Sequence, residues 1–383
     1  MREQLKNRLR RYLDTRDQDS RNQDSLQTPA AAPIKTVADR KLLWPGWTEV
    51  GFNVYKRKIT AELSFSVPAV FPASLALLVP DFSRVDRLPR PEELLFFDLE
   101  TTGLSGGAGT IAFLAAFGRF TPSGIEITQY LLLDYPGEGD FIANLVSEFA
   151  LSPPPWVVTY NGKSFDAQIL KTRCLMNGIT PLEFFHADLL YPARRLWKRK
   201  LPDCSQVTIE VSALGLDRSG DISGALAPEI WFSFLRNGDN DQLLSVCDHN
   251  IRDIQGLACL FLALAEIAAA PIKSRSRFFF DEEALALYWR KAVRRRQRLF
   301  VDDEFCRENL KTAELLLETA AKNGHPRAVF TLARSLAIDA EWRLGDYALA
   351  LHHTESALVC PELSADQRND LKKRQKRLNE KLK

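Results

Sequence analysis

Between residues 94 and 134, and again over 156–160, the apolar positions fall in short runs rather than at helical spacing. Runs over 94–100, 110–120, 125–134 and 156–160 are bounded by glycine, proline and serine, which predicts strands. The first three follow one another closely, with turn signals at Ser105-Gly106-Gly107 and Thr121-Pro122-Ser123-Gly124, and are expected to be antiparallel neighbours. Helical periodicity appears over 140–150 and again over 164–177, where Phe165, Ile169, Leu170 and Cys174 share one side. A longer helix is expected over 246–265. The stretch 254–270 is the most apolar, but Gln255, Gly256 and Glu266 interrupt it and it is short for a membrane span, so it reads as a buried core helix.

From residue 281 the strand signals stop, and helices are expected over 282–299, 303–323, 326–344, 347–358 and in a charged stretch after 365. At the other end, residues 1–43 are rich in Arg, Asp, Gln and Ser and read as a mobile arm. Residues 44–93, with apolar-rich runs and several prolines, read as a small β-rich lead-in to an α/β domain over 94–272. The tail over 281–383 is expected to be all-α.

Acidic residues placed on these elements carry the chemistry. Asp98 and Glu100 are one residue apart at the end of the first main strand, so they share a face and can converge on a cation. Asp166 falls in the first turn of the helix that follows the strand at 156–160. Asp248, His249 and Asp253 lie on the long helix, and the four-residue spacing of His249 and Asp253 puts both on one face. Carboxylates closing buried strands are costly without a partner, and a divalent metal makes them useful for phosphate chemistry.

The ordered set Asp98-x-Glu100-Thr101-Thr102-Gly103, Tyr160-Asn161-x3-Phe165-Asp166 and a later helix with Asp253 resembles the four-carboxylate pattern of the ribonuclease-H-like D-E-D-D exonucleases. It is similar in more detail to the bacterial YprB-like proteins, predicted nucleases with a helical tail. In these, D-x-E-T-T-G-L-S-G-G is followed by stretches resembling 186–197, which begins His186-Ala187-Asp188, and Asp221-Ile222-x-Gly224. The resemblance covers residues 90–270. It implies a ribonuclease-H-like mixed sheet with flanking helices and metal-dependent 3′-to-5′ hydrolysis of single-stranded DNA or RNA, with two magnesium or manganese ions. Asp98, Glu100 and Asp253 would hold one ion, and Asp98 and Asp166 would engage the second. The tyrosine subclass has its tyrosine four residues before the last aspartate, where this chain has His249; the histidine subclass places its histidine five before. His249 is thus a candidate for handling the water's proton, or an ordinary helix histidine.

Substrate contacts are expected at Thr101, Asn161, His186, Asp188, Arg194 and Arg195. Asn161 serves equally well as a turn residue. The run Arg194, Arg195, Lys198, Arg199 and Lys200, interrupted by Trp197, can grip phosphates while the aromatic ring stacks on a base, or it is a solvated helix face. A second stripe, Arg290, Lys291, Arg294, Arg295, Arg296 and Arg298, has the same two readings. Ser105-Gly106-Gly107-Ala108-Gly109 lacks the lysine of a phosphate loop; its glycines let a nucleic-acid backbone approach. Residues 344–358 look like part of a tetratricopeptide repeat, which makes the tail a candidate for binding a protein partner.

Composition changes this picture little. The chain has 383 residues, 45% hydrophobic and 26% charged, as in soluble globular proteins. With 51 basic against 49 acidic residues there is no global polyanion signature, and a nucleic-acid surface must be local. Six scattered cysteines form no zinc spacing and suit a reducing cytosol, and the charged N-terminus is not a signal peptide. No membrane association is expected. The other class of function open to this chain is a non-catalytic nucleic-acid or protein-interaction module.

Overall fold

In the computed structural model, residues 44–84, 87–103, 109–150, 155–238, 240–297 and 304–383 are described. The N-terminal arm, Ser105, Gly106 and Gly107, and the side chains of Arg294, Arg295, Arg296 and Arg298 lie outside them. Seven strands form one sheet: β1 (Thr48–Gly51), β2 (Val54–Ala61), β3 (Leu94–Thr101), β4 (Ala112–Thr121), β5 (Gly124–Leu132), β6 (Trp156–Thr159) and β7 (Phe185–Asp188). Their order is β1-β2-β5-β4-β3-β6-β7. The consecutive strands β3, β4 and β5 are antiparallel neighbours as expected, whereas β6 and β7 add in parallel beside β3. β2 pairs with β5 along its whole length, so β1 and β2 extend the main sheet.

Strand β3 has apolar residues on both faces. Leu95, Phe97 and Leu99 pack against α2 (Glu138–Phe149) and α3 (Asp166–Met176) through Phe141, Leu145, Phe149, Ile169 and Leu170. Phe96 points the other way, into a core with α1 (Leu75–Leu78) and the long helix α7 (Asn240–Ala269). Period-2 alternation therefore carries Asp98 and Glu100 to the α7 face. Helix α7 lies close to the sheet because Gly118 on β4 has no side chain; a Cβ there would meet Ile254 Cγ2 of α7 at 2.5 Å. It runs further in both directions than 246–265 and buries Ile254, Leu257, Ala258, Leu260 and Phe261. No helix among the described residues is long and apolar enough to cross a membrane.

Between the sheet and α7 the chain forms α4 (Leu190–Trp197), a short helix α5 (Gln206–Ile209) that widens into a π-turn over Glu210–Leu214, and α6 (Ala227–Asn237). Helices α8 (Pro271–Phe278), α9 (Glu282–Gln297), α10 (Glu304–Lys322), α11 (Pro326–Asp339), α12 (Tyr347–Leu358) and α13 (Ala365–Lys381) follow. The first of these are continuous with the main core through Phe278, Phe280, Leu285, Trp289 and Leu316. The last helices hold small clusters of their own. All six cysteines are free, four of them buried.

Candidate active site

Asp98 and Glu100 meet α7 where that helix is polar. Asn250 donates from Nδ2 to Asp98 Oδ2 at 2.7 Å. Behind it, Gln129 Nε2 donates to Asn250 Oδ1 at 2.9 Å, and Arg57 Nε donates to Gln129 Oε1 at 2.7 Å. This buried relay runs from β2 through β5 to Asp98, each link polarising the next. Burial, together with the charge of Asp253, still pushes Asp98 up to about 7. Glu100 is held well above the ordinary carboxylate range by burial and by Asp98, Asp253, Asp166 and Asp221. Asp166, in the first turn of α3, is raised by burial and then by Asp98. Acids drawn from a strand and two helices therefore feel one another at short range.

Between β3 and α7, ligand atoms of Glu100, His249 and Asp253 lie within 4.8 Å of one another. His249 Nε2 is 3.4 Å from Asp253 Oδ2, and its Nδ1 is 2.9 Å from Asp221 Oδ1. Gly224 makes room for the ring, since a Cβ there would stand 2.9 Å from His249 Nε2. Arg218 joins the same group, donating to Glu210 Oε2 at 2.5 Å, to Asp221 Oδ2 at 2.7 Å and to Asp253 Oδ1. Burial by itself lowers the affinity of this guanidinium for its proton, but Glu210 and Asp253 outweigh that and hold its pKa above the ordinary arginine value.

The remaining sequence candidates divide by location. Asp188 is buried and accepts from the backbone N–H groups of Asn161 at 2.8 Å, Lys163 at 3.1 Å and Leu190 at 3.0 Å. It supports from below the loop that precedes Asp166, in which Asn161 adopts a left-handed φ of 64°. His186 is hydrogen-bonded through Nε2 to Thr159 Oγ1 at 2.8 Å, and burial, aided by Lys163, lowers its pKa to about 4. It lines a different hollow, with Phe184, Leu170 and Cys174. Thr101 donates to the Gly103 carbonyl at 3.0 Å and shapes the chain just after Glu100.

Arg194 and Asn161 line a cleft of about 830 Å³ with Tyr160, Lys198, Cys204 and Gln206. Gln206 connects this cleft to the acids, donating to the Asp253 carbonyl at 2.7 Å. Arg195 turns away: its guanidinium lies 3.7 Å from the centroid of Tyr288 on α9. Trp197 is fully buried and donates to the Phe278 carbonyl at 2.9 Å, so it is no stacking platform for a base. Arg199 pairs with Asp281 at 2.5 Å and Glu283 at 3.2 Å. The basic run is thus split by the faces of α4 into a cleft side and a tail-docking side.

Sequence reasoning missed Arg218, Glu210, Asn250, Gln129 and Gln206. Gln129 left a signal, as a polar residue inside an apolar strand, whereas Asn250 sits among polar neighbours. Arg218 left none, because its partners are brought together only by folding.

Residues 95–265 match the RNase_H_2 family model, described as RNase_H superfamily. Over these residues, less than half of its length, the chain is similar to that superfamily, and the mixed sheet with flanking helices is consistent with an RNase-H-like α/β fold. It is also similar to the uncharacterized protein YprB of Bacillus subtilis (strain 168), with 39% identity over 176 residues, which cover 45% of this chain and 42% of that protein. The matched region thus spans less than half of that relative. Among solved structures, a family B DNA polymerase from the hyperthermophilic archaeon Pyrobaculum calidifontis aligns with a TM-score of 0.35 and 16% identity, over 54% of this chain and 30% of that one, a likeness too distant to carry an argument.

Proposed function

We propose that this protein is a metal-dependent nuclease that removes nucleotides from the 3′ end of single-stranded DNA or RNA, using magnesium or manganese, in the reducing cytoplasm. The observation that supports this reading above all others is the gathering of buried acids at one place: Asp98, Glu100 and Asp166 are each raised in pKa by burial and by a neighbouring acid, and ligand atoms of Glu100, His249 and Asp253 lie within 4.8 Å of one another. A set of closely spaced carboxylate oxygens fits a hard divalent cation, which would relieve their repulsion. On this reading Asp98, Glu100 and Asp253 hold one ion and Asp98 and Asp166 the second. Bound there, such ions supply the charge that stabilises the attacking and leaving oxygens of phosphodiester hydrolysis.

The chain's own groups supply the rest. His249, oriented at Nδ1 by Asp221, holds the proton of the attacking water at Nε2. Arg194 and Lys198 grip backbone phosphates along the cleft, and Asn161 positions the strand near Asp166. Thr101 keeps the chain close beside the scissile bond. The helical tail, with its tetratricopeptide-like unit, serves substrate or partner choice and adds no catalytic group.

The test is incubation of the purified chain with 5′-end-labelled DNA and RNA strands, with and without manganese. Metal-dependent ladders shortening from the 3′ end are expected, and Asp98→Ala should abolish them. Intact strands under every condition, or activity indifferent to Asp98→Ala, would overturn the reading.

A further inference from the structure

Arg218 lies between the loop before α6 and helix α7, with only 6% of its side chain exposed. Its three nitrogens reach three different carboxylates: Glu210, Asp221 and Asp253. We propose that Arg218 is a positioning residue whose guanidinium fixes Asp253 and, through Asp221, His249, so that both present their free atoms to Glu100. The inference rests on the reading of Asp253 and His249 as active-site groups.

The pattern of shared oxygens carries it. Asp253 accepts from Arg218 at Oδ1, which leaves Oδ2 facing His249 Nε2 at 3.4 Å. Asp221 accepts from Arg218 at Oδ2 at 2.7 Å, which leaves Oδ1 for His249 Nδ1 at 2.9 Å. Asp221 is therefore bridged between the arginine and the histidine, while Asp253 is held by the same arginine with its second oxygen turned toward the same ring, and one guanidinium sets the orientation of both residues on this turn of α7. A planar fork with fixed donor directions can impose this; a lysine ammonium on a flexible stem cannot span the three partners.

The anchor of the fork is Glu210, whose side chain has no exposure and which takes no part in the candidate metal cluster. Gln206 donates to Glu210 Oε1 at 2.8 Å and to the Asp253 carbonyl at 2.7 Å, tying anchor and target together. Gly256 gives up a side chain so that the Glu210 carboxylate can lie against α7. A helix turn, a π-turn and a glycine are thus committed to holding one buried carboxylate behind the site. Groups behind metal ligands that fix their orientation typically govern affinity by roughly 10–100-fold.

Two variants of the full chain test the proposal. Arg218→Lys keeps the charge without the fork. The double variant Arg218→Met, Glu210→Gln removes the guanidinium without leaving the fully buried Glu210 as an unpaired charge, and circular dichroism checks that each variant folds. Binding of manganese alone, followed by calorimetry, should weaken by roughly 10–100-fold in both variants. In the metal-free protein, the hydrogen-bonded Nδ1 proton of His249 should give an NMR signal in the parent and lose it in both variants. Folded variants that bind manganese as tightly as the parent, or more tightly, and keep the His249 signal would overturn the proposal and leave the network a stabilising one only. If the parent binds no manganese, the metal-dependent reading of the site fails, and the His249 signal alone then decides whether Arg218 positions the ring.

Discussion

Asp98 places a charge where the fold opposes one, with burial and then Asp253 acting against ionisation and the hydrogen bond from Asn250 acting for it. Its folded pKa of about 7 lies above the ordinary 3.8, so protonation favours the folded state. The stability this contributes is fully present below about pH 4 and is lost as pH rises through 7. Glu100 and Asp166 shift in the same direction. Metal-free protein should therefore show a melting temperature that falls between pH 5 and 8, and added manganese should restore it at the upper end. Asp98→Asn, which keeps an acceptor for Asn250, should flatten this dependence and raise stability at pH 8 by about 1–3 kcal/mol while abolishing hydrolysis. Chemical denaturation across pH, with and without metal, checks both outcomes; a pH-independent parent would count against the raised carboxylates.

At the scale of elements, helix α7 is fitted to its surroundings by missing side chains. Glycine within an open helix costs about 1 kcal/mol relative to alanine, so Gly256→Ala would ordinarily stabilise. Here the added methyl would overlap the Glu210 carboxylate, which cannot retreat without leaving Arg218. The substitution is expected to destabilise by about 1–3 kcal/mol, as overpacking does, and to weaken manganese binding at the same time. A urea midpoint that rises instead, at unchanged slope, would show that Glu210 is free to move. On α4, neighbouring arginines have different surroundings, Arg194 lining the cleft and Arg195 lying on Tyr288. Arg194→Ala should reduce the salt dependence of nucleic-acid binding by about one unit of slope. Arg195→Ala should leave that slope alone and cost about 0.5–2 kcal/mol of stability through its lost contact with Tyr288. Filter binding across salt concentrations and thermal melts separate the two.

For the whole molecule, the first helices of the tail are built into the α/β domain rather than tethered to it. Trp197 is fully buried and bonds to the Phe278 carbonyl, Arg199 reaches Asp281 and Glu283, and Phe280, Leu285 and Trp289 share one core with α7. Trp197→Ala should cost about 3–5 kcal/mol. It should also expose the segment around residues 278–285 to limited proteolysis while the carboxylates of β3 stay in place. Cleavage no faster than in the parent would mean that the tail docks without it.

Much was legible in the chain because it depends on local pattern. Alternation along 94–100 put Asp98 and Glu100 on one face, four-residue spacing put His249 with Asp253, and the turn signals around Pro122 and Gly124 produced the β4–β5 hairpin. Each of these follows from backbone geometry over a few residues. Tertiary structure alone decided which neighbours those faces meet. The split of Arg194 from Arg195, the burial of Trp197 in the tail interface, and the joining of Arg218 to Glu210 and Asp253 across 8 and 35 positions depend on long-range packing. A run of basic and aromatic residues has the same appearance whether it faces solvent or a docked helix, and a buried arginine is identified only by the acids that folding brings to it.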